Sequence, residues 1–228
     1  MTPPRKLLLT IAVGEYYQSM ARISHPGLKR YAASVGAEFV SIENAHAVLT
    51  PHFQKLLIPE FLKTFDRILF FDTDILVRQD TPDLFQLVPR EQIGLLDQVS
   101  HYPKAFANYL AWLSGLNLNL TPSRYFNTGV MVLAREHSAL FEAPLEVLPD
   151  QIPPDFEQAV INLRLHQLST PVYELPLTFN HLVTTECETP NPLESYVTHY
   201  AGYKRFGRDE ILEWMQTDAE TWRSRSLF

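Results

Sequence analysis

RILFFDTDILV, residues 67–77, decides how the rest of the chain is read. Ile68, Leu69, Phe70 and Phe71 form a short unbroken apolar run. A strand with one wet face alternates apolar and polar residues, whereas an unbroken run rich in β-branched and aromatic side chains belongs to a strand covered on both faces. That places the run at the centre of an α/β domain with a mostly parallel sheet flanked by helices. Sheets of this kind bind ligands in the crevice outside the carboxyl ends of their strands. Asp72 and Asp74 stand at that end, with only Thr73 between them. In extended backbone, residues i and i+2 point to the same side, so the two carboxylates project together. Like charges that close repel unless a cation sits between them. A hard divalent metal, its shell completed by a substrate phosphate, answers that need. The competing reading is a surface turn whose aspartates cap the next segment.

Towards the N-terminus, Lys6 to Val13 reads as a buried strand, and Glu38 to Ile42 as a second. The segment between them is helical, with Pro26 suited to a first turn and Gly36 to a C-terminal cap. This is a βαβ unit, which implies parallel strands and a right-handed crossover. Tyr16 and Tyr17 lie just past the first strand, where one of them would stack on a nucleobase or sit half-buried at a strand end. Residues 52–65 are helical in pattern, with Phe53, Leu56, Leu57, Phe61 and Leu62 as the apolar face and Pro59 as a kink or a new start. Lys55, on this segment, reads in isolation as a solvated lysine. Thr81, Pro82 and Asp83 open a short helix.

Beyond the central stretch, Ile93 to Leu96 is a further strand, and Asp97 at its end is expected in the same crevice. Residues 98–124 are long and weakly patterned, and read as a binding wall or a helical hairpin. YFNTGVMVL, residues 125–133, is a strand with a close-approach glycine, Gly129. If it runs antiparallel to the others, Asn127 reaches the ligand end. DFEQAVINLRLH, residues 155–166, is a helix, with Asp155 and Gln158 at capping-box spacing and Glu157 suited to the first turn by the helix dipole. Pro171 to Leu175 and Val197 to Tyr200 are short strands. The tail from Asp209 to Trp222 is amphipathic, and reads as a helix docked on the domain or in weak contact with a membrane surface.

Composition narrows the class. The 228 residues are 46% hydrophobic and 20% charged, enough apolar mass for a full core. A net charge of −7 excludes a typical nucleic-acid binder. One cysteine, Cys187, permits no intramolecular disulfide, and no segment has the length of a membrane span. The expected location is cytoplasmic, with peripheral contact at the inner membrane as the tail's second reading.

Together these stretches resemble the family 8 glycosyltransferases of the GT-A fold. Four blocks match in order: the lysine-bearing helix leading into DRILFFDTD, YFNTGVMVL, EQAVIN at residues 157–162, and HYAGYK at residues 199–204. Leu175, Pro176 and Asn180 add to them. The resemblance implies one GT-A-like domain over 1–228, with a Rossmann-like nucleotide-binding half at about 1–96, a sugar and acceptor half at about 97–205, and a C-terminal helix at 206–228. It implies that Asp72, Asp74 and His199 bind a metal, Mn²⁺ in preference to Mg²⁺ because of the histidine. Lys55, Gly202 and Lys204 would hold a nucleotide diphosphate and Tyr17 would stack on its base. Asp97, Asn127, Glu157 and Gln158 would line the sugar pocket. The donor would be a UDP-sugar, the acceptor a carbohydrate or glycoconjugate, and transfer would retain anomeric configuration. The chain departs from the family at Glu157, where an aspartate is usual, at Lys204, one residue early, and in lacking a Pro-Trp after it.

Two alternatives compete. A haloacid-dehalogenase-like phosphatase also carries Asp-x-Asp after an apolar strand, but needs a late acidic pair that is missing here. A non-catalytic sugar-nucleotide-binding module would keep the site and lack turnover.

Overall fold

The computed structural model describes residues 3–46, 49–116, 118, 120–142, 157–183, 191–201 and 206–228. The elements in order are β1 (Lys6–Ile11), α1 (Glu15–Ser34), β2 (Glu38–Ile42), α2 (Ile58–Leu62), β3 (Arg67–Phe71), β4 (Ile75–Val77), α3 (Leu84–Leu87), β5 (Ile93–Asp97), α4 (Pro103–Gly115), β6 (Phe126–Ala134), α5 (Glu157–Gln167), β7 (Val172–Glu174), β8 (His181–Leu182), β9 (Val197–His199) and α6 (Arg208–Ser224). The six-stranded main sheet has the order β2-β1-β3-β6-β5-β7. β1 pairs in parallel with β2 and β3, β5 pairs in parallel with β7, and β6 runs against both its neighbours.

The apolar run of β3 explains the layering. Ile68 and Phe70 pack on one face with Ile58 and Leu62 of α2 and Ile161 and Leu165 of α5. Leu69 and Phe71 pack on the other with Leu28 and Tyr31 of α1 and Leu84 and Phe85 of α3. Because every residue of β3 is buried, both faces of the strand must be apolar, and the period-2 alternation disappears. Pro59 starts α2 rather than kinking it, because residues 52–57 ahead of it form a 3-10 helix. Asp83 caps α3, accepting from the Phe85 N–H at 2.8 Å.

The 67–77 stretch holds two strands, β3 and β4. The chain leaves the main sheet after Phe71, turns at Thr73 and Asp74, and enters a second, three-stranded sheet ordered β4-β9-β8. β4 and β9 are antiparallel, with Ile75 opposite His199. Strands this short carry too few residues to show a pattern, so this small sheet is the main feature of the fold not expected from the sequence. It sets His199 beside the aspartates.

Residues 98–124 contain α4, whose Tyr109 and Leu113 pack on Ala159 and Leu163 of α5. The apolar face of the tail helix is occupied within the protein: Ile211, Met215, Ala219 and Trp222 of α6 are buried in a cluster with Met20, Leu76 and Tyr200. The tail is therefore a helix docked on the domain, and this packing takes up the face a membrane contact would use. Among the described residues no helix is long and apolar enough to cross a membrane. The Tyr200 hydroxyl donates to Asp218 of α6 at 2.7 Å, next to His199 in the chain. Tyr200→Phe is expected to cost about 1.5–3 kcal/mol, since it leaves a half-buried carboxylate without its donor; a urea unfolding midpoint reads it.

Candidate active site

The ends of β1, β3 and β6, the turn after β3, the start of α5 and the end of β9 surround a cleft. Its two ends differ in chemistry. Ile11, Val13, Met20 and Tyr17 make one wall apolar, and the Tyr17 hydroxyl lies 3.3 Å from Nε2 of His52. Asp72, Asp74, Glu157, Lys55 and His199 make the other end ionic.

Asp72, Asp74 and His199 each offer a ligand atom, and these atoms all lie within 4.8 Å of one another. Nε2 of His199 is 3.3 Å from Asp74 Oδ1 and 4.0 Å from Asp72 Oδ2. The convergence arises from the turn and the β4–β9 pairing rather than from a strand pleat, so the two carboxylates meet without the extended backbone that i, i+2 spacing implies. Burial works against the charge of both aspartates. For Asp72 it prevails, and together with repulsion from Asp74 it lifts the carboxyl above its ordinary range despite Lys55. For Asp74 the attraction and hydrogen bond of His199, with help from Lys55, outweigh burial and hold the carboxyl below it.

Lys55 is 3% exposed. Its ammonium lies 3.1 Å from Asp72 Oδ1 and 3.0 Å from Glu157 Oε1, and donates to the Thr128 carbonyl at 3.3 Å and hydroxyl at 3.4 Å. Burial would strip its proton, but Asp72 and Glu157 reverse that and raise its pKa well above the ordinary lysine value. Three carboxylates against one ammonium leave the cluster at −2 when His199 is neutral. Two carboxylates and an imidazole around a −2 cluster fit a divalent cation that accepts oxygen and nitrogen donors.

Gly129 makes room for this arrangement. A Cβ there would overlap Cε1 of His199 and lie 2.9 Å from both His199 Nδ1 and Asp72 Oδ2. Gly129→Ala is therefore expected to cost about 1–3 kcal/mol by overpacking. It should also displace the imidazole from the two aspartates. A melting curve checks the first effect and the imidazole NMR signals of His199 the second.

The sequence from residue 30 to 203 matches the profile named Glycosyl transferase family 8, which is most of the chain. The chain belongs to glycosyl transferase family 8. No curated protein gives a significant match to it. Among solved structures, it is similar to a glycosyltransferase involved in glycosylation of the major capsid of PBCV-1, at 15% identity and TM-score 0.58 over 92% of this chain and 100% of that one. It is also similar to the galactosyltransferase LgtC, solved with donor and acceptor sugar analogs, at 16% identity and TM-score 0.58 over 96% of this chain and 99% of that one. A third similar structure is the glycosyltransferase GlyE of Streptococcus pneumoniae, at 14% identity and TM-score 0.57, over 98% of this chain and 65% of that one. At such identities the likeness establishes the GT-A fold. Family membership makes the protein an enzyme, a hexosyltransferase that draws on a nucleotide-sugar donor, and sets aside the phosphatase reading.

Within this family 8 enzyme the expected site residues separate. Asp72, Asp74, His199, Asn127, Glu157, Gln158, Tyr17 and Lys55 all line the one cleft. Asp97 does not. Its carboxylate accepts from Arg124 Nε at 2.9 Å and from the backbone N–H of Val99 at 3.2 Å. It lines a neighbouring cleft with His101, Ser123 and Glu174. An arginine 27 residues away holds it there, a pairing no local pattern announces. Lys55 ties Asp72 to Glu157 across the floor of this cleft, an arrangement the sequence did not announce. Gly202 and Lys204 lie outside the described residues, as does Asp155, the expected capping partner of Gln158. The Gln158 side-chain oxygen accepts from the Thr128 N–H at 3.2 Å and from Asn127 Nδ2 at 3.3 Å, tying α5 to β6.

Three residues escaped functional notice in the sequence. Asn162 pairs with both the N–H and the C=O of Phe126, at 2.7 and 2.8 Å, and docks α5 on β6. Thr128 braces Lys55. Asn180 contacts His199. A polar residue inside an otherwise apolar pattern was the available signal for the first two.

Proposed function

We propose that this enzyme transfers a hexose from a UDP-sugar to a hydroxyl of a carbohydrate or glycoconjugate acceptor, with retention of configuration and with a divalent cation, Mn²⁺ in preference to Mg²⁺. The observation that carries the reading is the meeting of Asp72, Asp74 and His199 within 4.8 Å at the ionic end of the cleft. These three would hold the cation. What the metal supplies when bound is neutralisation of charge on the departing diphosphate.

The remaining work falls to the chain. Lys55 keeps the Asp72 and Glu157 carboxylates apart and oriented, so neither must reorganise when the donor arrives. Glu157 faces the space beside the metal ligands, where a carboxylate favours positive character at the anomeric carbon. Asn127 and Gln158 form the sugar wall. Tyr17 stacks on the base at the apolar end, and Gly202 and Lys204 grip the diphosphate. Gln158 is a poor nucleophile and Glu157 is bound to Lys55, which favours attack by the acceptor hydroxyl on the face the diphosphate leaves. Residues 1–96 then serve chiefly the nucleotide, residues 97–205 the sugar and acceptor, and residues 206–228 pack the β9 segment in place.

The test is incubation with a panel of UDP-hexoses, with Mn²⁺ or with EDTA, monitoring UDP release and the anomeric proton coupling of the product. UDP release that needs Mn²⁺ and a product of unchanged configuration are expected. An inverted product contradicts the front-face reading, and release that is indifferent to EDTA contradicts the metal.

A further inference from the structure

The imidazole of His199 is 2% exposed and has distinct environments at its two nitrogens. Nε2 faces Asp72 and Asp74. Nδ1 lies 2.9 Å from the side-chain oxygen of Asn180, which is fully buried. A metal needs a nitrogen lone pair, so the position of the ring proton decides whether His199 can serve as a ligand.

A chain of hydrogen bonds fixes that position. It begins at the backbone N–H of Gly129, which can only donate. It donates at 2.9 Å to Asn127, so that end of the Asn127 amide is its oxygen. Asn180 reaches the same oxygen at 2.8 Å, and must do so with its nitrogen. The other end of Asn180 is then its oxygen, and it faces His199 Nδ1. An amide oxygen only accepts, so Nδ1 carries a proton. The remaining Asn127 nitrogen donates to the side-chain oxygens of Gln98 and Gln158, at 3.2 and 3.3 Å, which closes the orientation from the other side. With these amides buried, reversing one would place two acceptors or two donors face to face, at about 1–3 kcal/mol for each group left unsatisfied.

We infer that Asn180 is a positioning residue that holds His199 as the Nδ1–H tautomer, so that Nε2 is presented to a cation shared with Asp72 and Asp74. Its bearing on the reaction rests on the metal reading above; its bearing on the proton does not. Asp74 makes the assignment consequential. At 3.3 Å from Nε2, its carboxylate favours a proton on that nitrogen, and a Nε2–H would block the ligand position. Asn180 supplies the competing acceptor. The backbone that starts the chain also sets Asp72, whose N–H donates to the Gly129 carbonyl at 2.8 Å.

The tautomer is read directly by ¹⁵N NMR of the imidazole in metal-free protein, at a pH where the ring carries one proton. Wild type is expected to show that proton on Nδ1. Asn180→Leu keeps the bulk and removes the acceptor; it should move the proton to Nε2 and weaken Mn²⁺ binding, followed by EPR, about 10–100-fold. Asn180→Asp keeps an acceptor at Nδ1 but sets a carboxylate oxygen against the Asn127 oxygen, so it should lower the melting temperature and still hold the proton on Nδ1. A purely structural role would lower the melting temperature of Asn180→Leu without moving the proton. A Nε2–H proton in wild type, or an unmoved proton with unchanged Mn²⁺ affinity in Asn180→Leu, overturns the inference. The wild-type spectrum decides alone if Asn180→Leu does not fold. Wild type with Nδ1–H but no Mn²⁺ binding upholds the tautomer assignment and overturns the metal reading.

Discussion

Lys55→Met lowers the stability of the protein by about 3–5 kcal/mol, the expected consequence of removing one member of a buried ion cluster. Methionine matches the lysine stem in length, so little cavity is created. What is lost is the only ammonium between Asp72 and Glu157 among the described residues. Glu157 is 6% exposed, and neither carboxylate gains a new donor from a thioether. The Thr128 carbonyl loses a donor as well. The carboxylates are left buried without a counter-charge, and that cost appears as lost stability. Combining Lys55→Met with Glu157→Gln removes one of the stranded charges, so the pair should cost less than the sum of the single changes. Urea unfolding of the four proteins closes this cycle. A loss below about 1 kcal/mol for Lys55→Met would mean that the ammonium is solvated and organises nothing.

Asp74→Asn has the opposite character: little loss of fold and a large loss of function. The backbone oxygen at this position accepts from the Tyr200 N–H at 2.8 Å, a bond that any side chain permits. The substituted amide keeps an acceptor oxygen near His199. The net charge of the cluster, however, drops from −2 to −1. A divalent cation then loses a charged ligand, and the leaving diphosphate loses part of its neutralisation. Removing one preorganised electrostatic contact of this kind lowers turnover by about 10²–10³-fold. Sugar transfer measured at saturating Mn²⁺, beside a melting curve within a few degrees of wild type, is the expected pair of results. A melting temperature that collapses together with activity would mean that Asp74 is structural.

The contrast between these residues shows what the chain discloses by itself. Residues 68–71 announce a doubly covered strand because local burial dictates local composition. Asp72, Asp74 and His199 are legible as chemistry, since carboxylates at the end of such a strand need a counter-charge. Their geometry is less so. It depends on β4 and β9, three residues each, whose pairing brings residues 75 and 199 together. Lys55 reads as a solvated lysine because a helical pattern cannot show that its ammonium crosses to Glu157, 102 residues away. Asp97 reads as a crevice residue because Arg124 is not in view. Asn180 is present in the sequence match, yet its contact with His199, 19 residues on, exists only once both lie beside β6. What escapes the sequence is therefore mostly long-range polar pairing, while apolar layering is written locally.

In the proposed reaction Asp72, Asp74 and His199 form a cation site shared with the nucleotide diphosphate. Mn²⁺ titration of the purified protein by EPR, with and without UDP, tests it most directly. UDP is expected to tighten Mn²⁺ binding and Mn²⁺ to tighten UDP binding by the same factor, as linkage requires, with both effects lost in Asp74→Asn. UDP affinity that is the same with and without Mn²⁺, or Mn²⁺ binding that survives Asp74→Asn unchanged, would contradict it.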